Sequence, residues 1–352
     1  MIIVRAPIRL SLAGGGTDLP AYYEQYGGLV VSTTIDKYFY VFLNLSGRDH
    51  VQLTSSDYRA FYRHRSGEAP VWDGDLGLVK AALHEFRCED GIGLFLASEI
   101  PPGTGLGSSG AVAVALVKAL STLQGRRLTP AQVAECACTL ELDKLRAPIG
   151  KQDQYASAHG GFNAFSFSSD GVDVEPLAIS PDTIHELEQN LLLFFTGATR
   201  SANTILREQQ RATAQADRET IAALHFIKEA AAETRRCFER GDLNAFGKLL
   251  GETWERKKCL ADGISTGRVD ELYALARERG ATGGKLAGAG GGGFLMLYCE
   301  RLKQRAVTDA LEAAGLYRMD YHFERGGAQV LMNSLARPRP MTTLTDDMMR
   351  YA

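Results

Sequence analysis

Residues 101–111 read Pro-Pro-Gly-Thr-Gly-Leu-Gly-Ser-Ser-Gly-Ala, and this stretch decides how the chain is organised. It follows an apolar run with the period of a strand (residues 92–100) and precedes a run of small apolar residues with the period of a helix (residues 111–123). A glycine-rich loop that enters a helix presents free backbone N–H groups and the positive end of the helix dipole. We therefore predict an anion-binding loop whose best ligand is a nucleotide phosphate.

Three common nucleotide motifs do not account for this loop. Gly105, Gly107 and Gly110 match the dinucleotide fingerprint, but a helix start at Thr129-Pro130 follows where that fold needs a strand ending in an acidic residue. The glycine pattern of protein kinases also fits, yet the chain contains no His-Arg-Asp or Asp-Phe-Gly. A P-loop is excluded because no Gly-Lys is followed by Ser or Thr. A different nucleotide-binding fold is required.

Two more glycine-rich segments and one acidic segment complete the pattern. Residues 13–18 read Ala-Gly-Gly-Gly-Thr-Asp, and residues 283–293 hold seven glycines in eleven positions. Residues 150–154 read Gly-Lys-Gln-Asp-Gln, which sets a carboxylate beside a cation, as a general base near phosphates requires. Alone, residues 13–18 could be a tight turn, residues 283–293 a flexible linker and residues 150–154 a surface loop. Together with the phosphate loop they favour a phosphotransferase.

The composition fits a globular enzyme. The chain has 352 residues, a net charge of −3 and 45% hydrophobic residues, which suffices for two domains and argues against a nucleic-acid binder. No apolar run reaches the length that spans a bilayer, and the first residues lack a signal-peptide pattern. The six cysteines are scattered without metal-ligand spacing. We expect a cytoplasmic protein that contacts neither membrane nor nucleic acid.

The element pattern predicts an α+β chain in two layers. Turn composition near residues 170–190 suggests an N-terminal domain over residues 1–180, a C-terminal domain over residues 181–335 and a peripheral tail over residues 336–352. We expect a strand pair at residues 2–5 and 8–12, β-structure at residues 29–45 long enough for two strands, a helix from Thr129 to about Lys144, and helix across residues 201–241.

The segments resemble, in order, the three motifs of the GHMP kinase family (galactokinase, homoserine kinase, mevalonate kinase and phosphomevalonate kinase). Pro7-Ile8-Arg9 with residues 14–18 resembles the first motif, residues 101–111 the second and residues 286–293 the third. The resemblance implies a two-domain GHMP kinase fold, with an N-terminal domain like ribosomal protein S5 domain 2, a ferredoxin-like C-terminal domain and the site between them. Within the family, the chain is most similar to the branch that acts on D-glycero-D-manno-heptose 7-phosphate. The segments that carry this similarity are Gly-Gly-Gly-Thr-Asp-Leu-Pro, Gly-Lys-Gln-Asp-Gln-Tyr and Thr-Gly-Ala-Thr-Arg-Ser.

That branch implies a reaction and residue roles. With ATP and Mg²⁺ as cofactors, the anomeric hydroxyl would be phosphorylated to give heptose 1,7-bisphosphate, for nucleotide-activated heptose and surface polysaccharide. Asp153 matches the catalytic aspartate, Arg9 the arginine beside it, and Ser109, or its neighbour Ser108, the serine near Mg²⁺. Glu141 resembles an acidic Mg²⁺ ligand of the mevalonate branch, at a spacing that differs by one residue. The implied nucleotide-binding residues are Pro102, Gly103, Gly105, Leu106, Gly107, Ser108, Ser109 and Gly110, and the implied substrate-binding residues are Gly15, Gly16, Thr17, Asp18 and Gly290.

The phosphate of a sugar phosphate needs cations. From the residues themselves we expect Arg200, between a strand and a helix start, or Lys151, beside the general base, to bind it. Other substrates of the same fold, such as fucose, a uronic acid or an isoprenoid alcohol, remain alternatives, as does a catalytically silent sugar sensor. A homodimer is a further expectation.

Overall fold

A computed structural model of the chain describes residues 1–45, 50–56, 60–65, 76–88, 91–197 and 202–335. The strands in these ranges are β1 (Ile2–Ala13), β2 (Gly28–Leu45), β3 (His50–Ser55), β4 (Ala60–Arg65), β5 (Ile92–Ser98), β6 (Asn163–Ser168), β7 (Gly171–Pro176), β8 (Leu191–Phe195), β9 (Gly283–Leu286), β10 (Phe294–Tyr298), β11 (Tyr317–Met319), β12 (Phe323–Glu324) and β13 (Gln329–Asn333). The helices are α1 (Pro20–Tyr26), α2 (Gly77–Glu85), α3 (Ser108–Leu123), α4 (Pro130–Cys138), α5 (Gln152–His159), α6 (Pro181–Asn190), α7 (Ala202–Ala214), α8 (Arg218–Arg240), α9 (Leu243–Lys257), α10 (Gly267–Arg279) and α11 (Gln304–Ala313), with a π-helical turn at Thr139–Lys144 and a 3-10 turn at Arg301–Lys303.

Two sheets organise these elements. Within the described residues the first sheet has nine strands along the path β13-β1-β2-β5-β3-β4, with β6 and β12 also paired to β2 and β7 paired to β6. The second sheet has the order β11-β8-β10-β9 and is antiparallel throughout. The chain therefore combines helices with two separate, largely antiparallel sheets, as an α+β protein does.

Helix α3 lies at the centre of the first layer. Its small apolar residues are buried on nearly every face, and it packs against β1, β2, α4 and α5. A helix that is apolar all round must be enclosed, so its start, which follows the glycine loop, is held in a fixed position. The second layer has its own core, in which Trp254 of α9 and Phe194 of β8 are fully buried.

The last strands return to the first sheet. β12 pairs with β2 and β13 pairs with β1, so residues 323–333 complete the nine-stranded sheet although the sequence pattern grouped them with the second domain. The division at residue 180 stays a prediction, and the predicted tail over residues 336–352 lies outside the described residues.

Several elements differ from the sequence-based expectation for physical reasons. β1 is one strand because a shift of register in its pairing with β2, directly after Pro7, accommodates the proline. β2 is likewise one long strand rather than two. The helix after Thr129 changes to a π-helical turn at Thr139. The expected helix over residues 201–241 is two helices, because Asp217 caps α8 by accepting a hydrogen bond from the Thr220 N–H at 2.9 Å.

Among the described residues, no helix is both long enough and apolar enough to cross a bilayer.

Candidate active site

A cleft of about 320 Å³ lies where the glycine-rich segments meet. Its walls come from both halves of the chain. The lining residues are Arg9, Ser11, Gly15, Gly16, Asp18, Leu19, Leu78, Gly103, Gly105, Gly107, Ser108, Ser109, Glu141, Leu145, Ala147, Ile149, Gly150, Gln152, Asp153, Asn203, Leu206, Gln209, Lys257, Lys285, Gly288 and Ala289. Most of the residues singled out in the sequence are therefore brought together.

The loop at residues 101–107 delivers an uncapped helix to this cleft. Gly107 has a left-handed backbone (φ 76°) and precedes Ser108, the first residue of α3. No side chain of the described residues caps that end of the helix. Its first N–H groups and the positive end of its dipole are thus available to an anion, which matches the predicted phosphate loop.

The glycine-rich segments at residues 101–111 and 283–293 touch through their backbones. A Cβ atom placed on Gly288 would lie 2.6 Å from the Cα of Gly105, and one on Gly105 would overlap the Ala287 carbonyl. Both glycines also have positive φ. Larger residues would force the loops apart, so the glycines are explained by close packing of one loop on the other.

Asp153 and Arg9 form the central ion pair of the cleft. The Arg9 Nε donates a hydrogen bond to Asp153 Oδ1 at 2.8 Å, and Arg9 Nη2 lies 2.7 Å from the same oxygen. Arg9 Nη1 also donates to the Gly105 carbonyl at 2.5 Å, which ties the pair to the phosphate loop. Both contacts of the guanidinium fall on Oδ1, so Arg9 orients the carboxylate while Oδ2 lies toward Gly107.

The crossing of α3 and α5 sets the position of Asp153. The carboxylate is in the first turn of α5, and a Cβ on Gly110 of α3 would lie 2.7 Å from the Cβ of Asp153. The absence of a side chain at Gly110 therefore lets the general-base candidate approach the start of the phosphate-loop helix.

Glu141 lies on the π-helical turn and faces the same helix start. Ser109 Oγ donates to its Oε1, and Gln154 Nε2 donates to its Oε2 at 2.5 Å. Burial, opposed by these two hydrogen bonds and assisted by the charge of Asp153, raises the pKa of Glu141 to about 7. π-helical turns recur at functional sites, and here the turn carries a candidate metal ligand.

The oxygen atoms of Ser109 and Glu141 suit Mg²⁺. Magnesium prefers oxygen ligands and is held by one or two carboxylates together with substrate phosphates. No group of three or more His, Cys, Asp or Glu side chains that could hold a metal by themselves occurs in the described ranges. A metal here would thus depend on a nucleotide for the rest of its ligands.

Asp18 forms the other side of the cleft. Its Oδ1 accepts hydrogen bonds from the Gly16 N–H at 2.9 Å and from Gln152 Nε2 at 3.1 Å, and its Oδ2 accepts one from the Gln152 N–H at 3.2 Å. Burial raises the pKa of this carboxyl, against the lowering effect of the Gly16 and Gln152 N–H groups. An oriented, buried carboxylate of this kind can accept hydrogen bonds from sugar hydroxyl groups.

Several polar atoms in the cleft lack partners within the described structure. They are Ser11 Oγ, Ser108 Oγ, Gln152 Oε1 and Gln209 Nε2, all buried. Buried polar groups are normally hydrogen-bonded, so a cluster of unpaired donors and acceptors indicates a polar ligand. The mixture of hydroxyl and amide groups fits a ligand rich in hydroxyl groups.

Gly110 lies at the crossing of α3 and α5 and does not line the cleft, and five further predicted site residues also lie away from the cleft surface. Thr17 donates to the Gly14 and Leu29 carbonyls, which makes it part of a turn. Pro102 and Leu106 do not line the cleft, and Leu106 is buried in the core. Gly290 packs against the backbone of Ile264, where a Cβ would come within 2.8 Å of its Cα.

Lys151 is the fifth residue of this group. It pairs with Glu135 at 3.1 Å in an adjoining cavity of about 600 Å³, which shares Ala147 with the cleft. Arg200, the alternative phosphate-binding candidate, lies outside the described residues.

The cleft also contains residues that the sequence did not single out. Lys257 ends α9, Lys285 lies on β9, and Gln209 on α7 reaches toward Gly16. A lysine at a helix end or a glutamine in a polar helix is typical of a solvated surface. Their burial results from the packing of the two halves, so no local pattern could have revealed it.

Comparisons with known proteins agree with this geometry. Residues 77–161 match the family described as GHMP kinases N terminal domain, and residues 234–316 match the one described as GHMP kinases C terminal. The chain is 31% identical over 334 residues to a Campylobacter jejuni protein named D-glycero-alpha-D-manno-heptose 7-phosphate kinase, covering 93% of this chain and 98% of that one.

Two further relatives broaden the comparison. A crystal structure of a D-glycero-D-manno-heptose 1-phosphate kinase from Bacteroides thetaiotaomicron superposes with a TM-score of 0.78 at 30% identity, covering 95% of this chain and 99% of that one. An L-fucokinase/L-fucose-1-P guanylyltransferase of Bacteroides fragilis is 28% identical over 326 residues, which cover 83% of this chain and 34% of that protein.

Proposed function

The chain belongs to the GHMP kinase family, and from that membership we propose that it transfers the γ-phosphoryl group of ATP to the anomeric hydroxyl of D-glycero-D-manno-heptose 7-phosphate. The membership confirms the α+β fold expected from the sequence and makes the chain a kinase. The choice of heptose 7-phosphate is supported by the Campylobacter jejuni relative and by its similarity over nearly the whole chain.

One observation carries the proposed chemistry. The Arg9–Asp153 pair lies against the start of α3, so a carboxylate and an anion site face the same cleft. Phosphoryl transfer needs a phosphate held in place and a group that orients or deprotonates the attacking hydroxyl within hydrogen-bonding distance.

The residues divide the reaction between them. The N–H groups at the start of α3 hold the phosphates, and Asp153 accepts the proton of the anomeric hydroxyl as its oxygen bonds to the γ-phosphorus. The bond from phosphorus to the bridging oxygen of ADP breaks, and ADP leaves. Arg9 keeps the Asp153 carboxylate in position and balances its charge. Asp18, Gly15 and Gly16 hold the sugar.

Ser109 and Glu141 would hold Mg²⁺ together with the nucleotide phosphates. The metal supplies charge neutralisation of the phosphate oxygens when it is bound. Gln154 and the burial of Glu141 fix the direction of this carboxylate, so the ligand is preorganised.

The proposal extends to the cellular setting. All six cysteines are free, which suits a reducing compartment, and we place the enzyme in the cytoplasm, where it supplies heptose 1,7-bisphosphate for nucleotide-activated heptose and surface polysaccharide. A homodimer is part of the same proposal.

The test is ATP consumption with Mg²⁺ against heptose 7-phosphate, heptose 1-phosphate, mannose, fucose, galactose, glucuronate and mevalonate. Activity with heptose 7-phosphate alone supports the proposal. Preference for fucose, glucuronate or mevalonate would keep the kinase chemistry and replace the substrate. Nucleotide binding without turnover on any of them would favour a silent sugar sensor.

A further inference from the structure

Two buried lysines face the cleft, and neither has a carboxylate partner in the part of the chain that the structure describes. Lys257 is 8% exposed and Lys285 is 4% exposed, and both line the cleft. Lys257 Nζ donates to the Gly288 carbonyl, and Lys285 Nζ donates to the Leu12 carbonyl at 3.3 Å. Neither forms an ion pair with an acidic side chain of the described ranges. The next residue along the chain, Lys258, is by contrast paired with Glu255 at 2.6 Å and Asp270 at 3.5 Å.

The charges around the two lysines do not balance. Arg9 on β1 repels both, the lysines repel each other, and Asp18 is the acidic group that acts favourably on Lys257. Arg9 is itself already paired with Asp153. Burial, with the repulsion from Arg9, lowers the pKa of Lys257 to about 8, and burial together with Lys257 and Arg9 lowers the pKa of Lys285 well below its usual range.

A purely structural role explains this arrangement poorly. A buried cation without an opposite charge is costly, and an apolar side chain of the same length would fill the same space without that cost. The two lysines come from α9 and β9, and both line the cleft. The Lys257 amino group lies beside the glycine-rich segment at residues 283–293, and the Lys285 amino group lies beside the end of β1. An anionic ligand would supply the missing charge.

We propose that Lys257 and Lys285 form a phosphate subsite, which the C-terminal half of the chain adds to the phosphate loop. The subsite binds a phosphoryl dianion, either the γ-phosphate of the nucleotide or the phosphate of the sugar. The identity of these two candidate ligands rests on the proposed function. The subsite itself rests on the burial, direction and unpaired charge of the two lysines.

Proton uptake follows from the proposal. In the empty cleft Lys257 loses its proton as pH rises through about 8, and an adjacent dianion favours the protonated form. Ligand binding therefore takes up a proton at and above pH 8, and affinity for the phosphate falls as pH increases in that range. The charged groups that face Lys257 are Arg9, Asp18 and Lys285. The pKa of Lys257 therefore depends on the charge of each of these three groups.

The experiment compares Lys257→Met, Lys285→Met and the control Lys258→Met in the full chain. Calorimetry with Mg²⁺ measures binding of ADP against AMPPNP, and of heptose against heptose 7-phosphate, at pH 8 in two buffers that differ in ionisation enthalpy. We expect Lys257→Met to weaken binding of the ligand with the additional phosphate, AMPPNP or heptose 7-phosphate, by about tenfold or more in one pair, to leave the other ligand of that pair within about twofold, and to reduce proton uptake. Loss with AMPPNP assigns the γ-phosphate, and loss with heptose 7-phosphate assigns the sugar phosphate.

Unchanged binding in the lysine variants would contradict the proposal. If both members of both pairs bind Lys257→Met and Lys285→Met as they bind Lys258→Met, the subsite does not exist. Thermal unfolding should occur at the same or a higher temperature in the methionine variants, because a buried charge has been removed. Should Lys257→Met unfold, Lys285→Met carries the test. If the parent protein binds AMPPNP but no heptose, the proposed substrate fails while the nucleotide pair still tests the subsite.

Discussion

Individual side chains in the cleft have separable tasks. Arg9 holds one carboxylate oxygen of Asp153. The Glu141 carboxylate is held by Ser109, at the start of α3, and by Gln154 of α5. One carboxylate is thus oriented by a charge and the other by neutral hydrogen bonds. The difference predicts distinct responses to substitution and to pH.

Asp153→Asn should lower kcat by at least ~10²-fold, because the amide cannot accept the proton of the attacking hydroxyl. Nucleotide binding should change little, since the start of α3 is intact. Asp182→Asn is the matched control, because Asp182 also lies in the first turn of a helix but on α6, away from the cleft. Comparable turnover of the two variants would remove Asp153 from the general-base role.

Glu141 should make Mg²⁺ dependence sensitive to pH. With its pKa raised to about 7, the carboxyl is mostly protonated at pH 6 and mostly ionised at pH 8, so the apparent Mg²⁺ affinity should rise by about tenfold between these values. Activity titrated with Mg²⁺ at both pH values measures this. Glu141→Gln, assayed in parallel, corrects for protonation of the nucleotide and should show a much flatter dependence. A parallel rise in both proteins would assign the effect to the nucleotide.

The sequence identified much of the cleft at this scale. Asp18 and Asp153 were predicted from local patterns, as acids beside glycine-rich or cationic segments, whereas Arg9, Ser109 and Glu141 were implied by the resemblance to the family. Arg9 and Asp153 are 144 positions apart, and their pairing required the resemblance to the family as well as the motif. The pairing of Lys151 with Glu135 depends on three-dimensional packing and was not visible in the sequence.

Contacts between whole elements set the distances in the cleft. The α3–α5 crossing positions Asp153, and the contact between residues 101–111 and 283–293 closes one wall of the cleft. Helix ends with capping residues, such as Thr129 before α4, could be predicted from sequence. The π-helical turn and the undivided β1 and β2 could not, since they result from pairing and packing with distant elements.

Gly110→Ala tests the helix crossing. Alanine favours helix by about 1 kcal/mol over glycine, yet here its methyl group would collide with the Cβ of Asp153. We expect kcat to fall by about tenfold or more as the carboxylate shifts, with a smaller change in nucleotide affinity.

The matched control for that prediction is Gly267→Ala. Gly267 begins α10, and no described atom lies within 4 Å of the added Cβ. This variant should keep full activity and be at least as stable as the parent protein in thermal unfolding. Equal kinetics for the two alanine variants would show that α5 tolerates the added methyl group.

At the scale of the molecule, the first and the last described strands lie side by side in one sheet. β13 pairs with β1 from Ile2 to Arg5, and the N-terminal ammonium group donates to Ser334 Oγ at 2.9 Å. The edge of β1 is covered by residues that are remote in sequence. Strand pairing has no local signal, so the sequence could not reveal that β13 is the partner of β1.

Ending the chain after Gly327 should therefore destabilise the first sheet. Without β13 the outer edge of β1 has no partner, and we expect Tm to fall by roughly 5 °C or more. A chain that ends after Leu335 keeps every described strand and should unfold close to the full-length temperature. Thermal unfolding followed by circular dichroism measures both, and equal midpoints would show that β13 contributes little.

The β1–β13 pairing also constrains the order of events during synthesis. Arg5 and Gln329, which form a hydrogen bond at 3.2 Å, are 324 positions apart. At ribosomal rates of about 5 to 20 residues per second, Arg5 is translated roughly 16 to 65 s before Gln329. For much of that interval the nascent chain exposes an open strand edge, which makes this enzyme a natural client for chaperones that bind nascent chains.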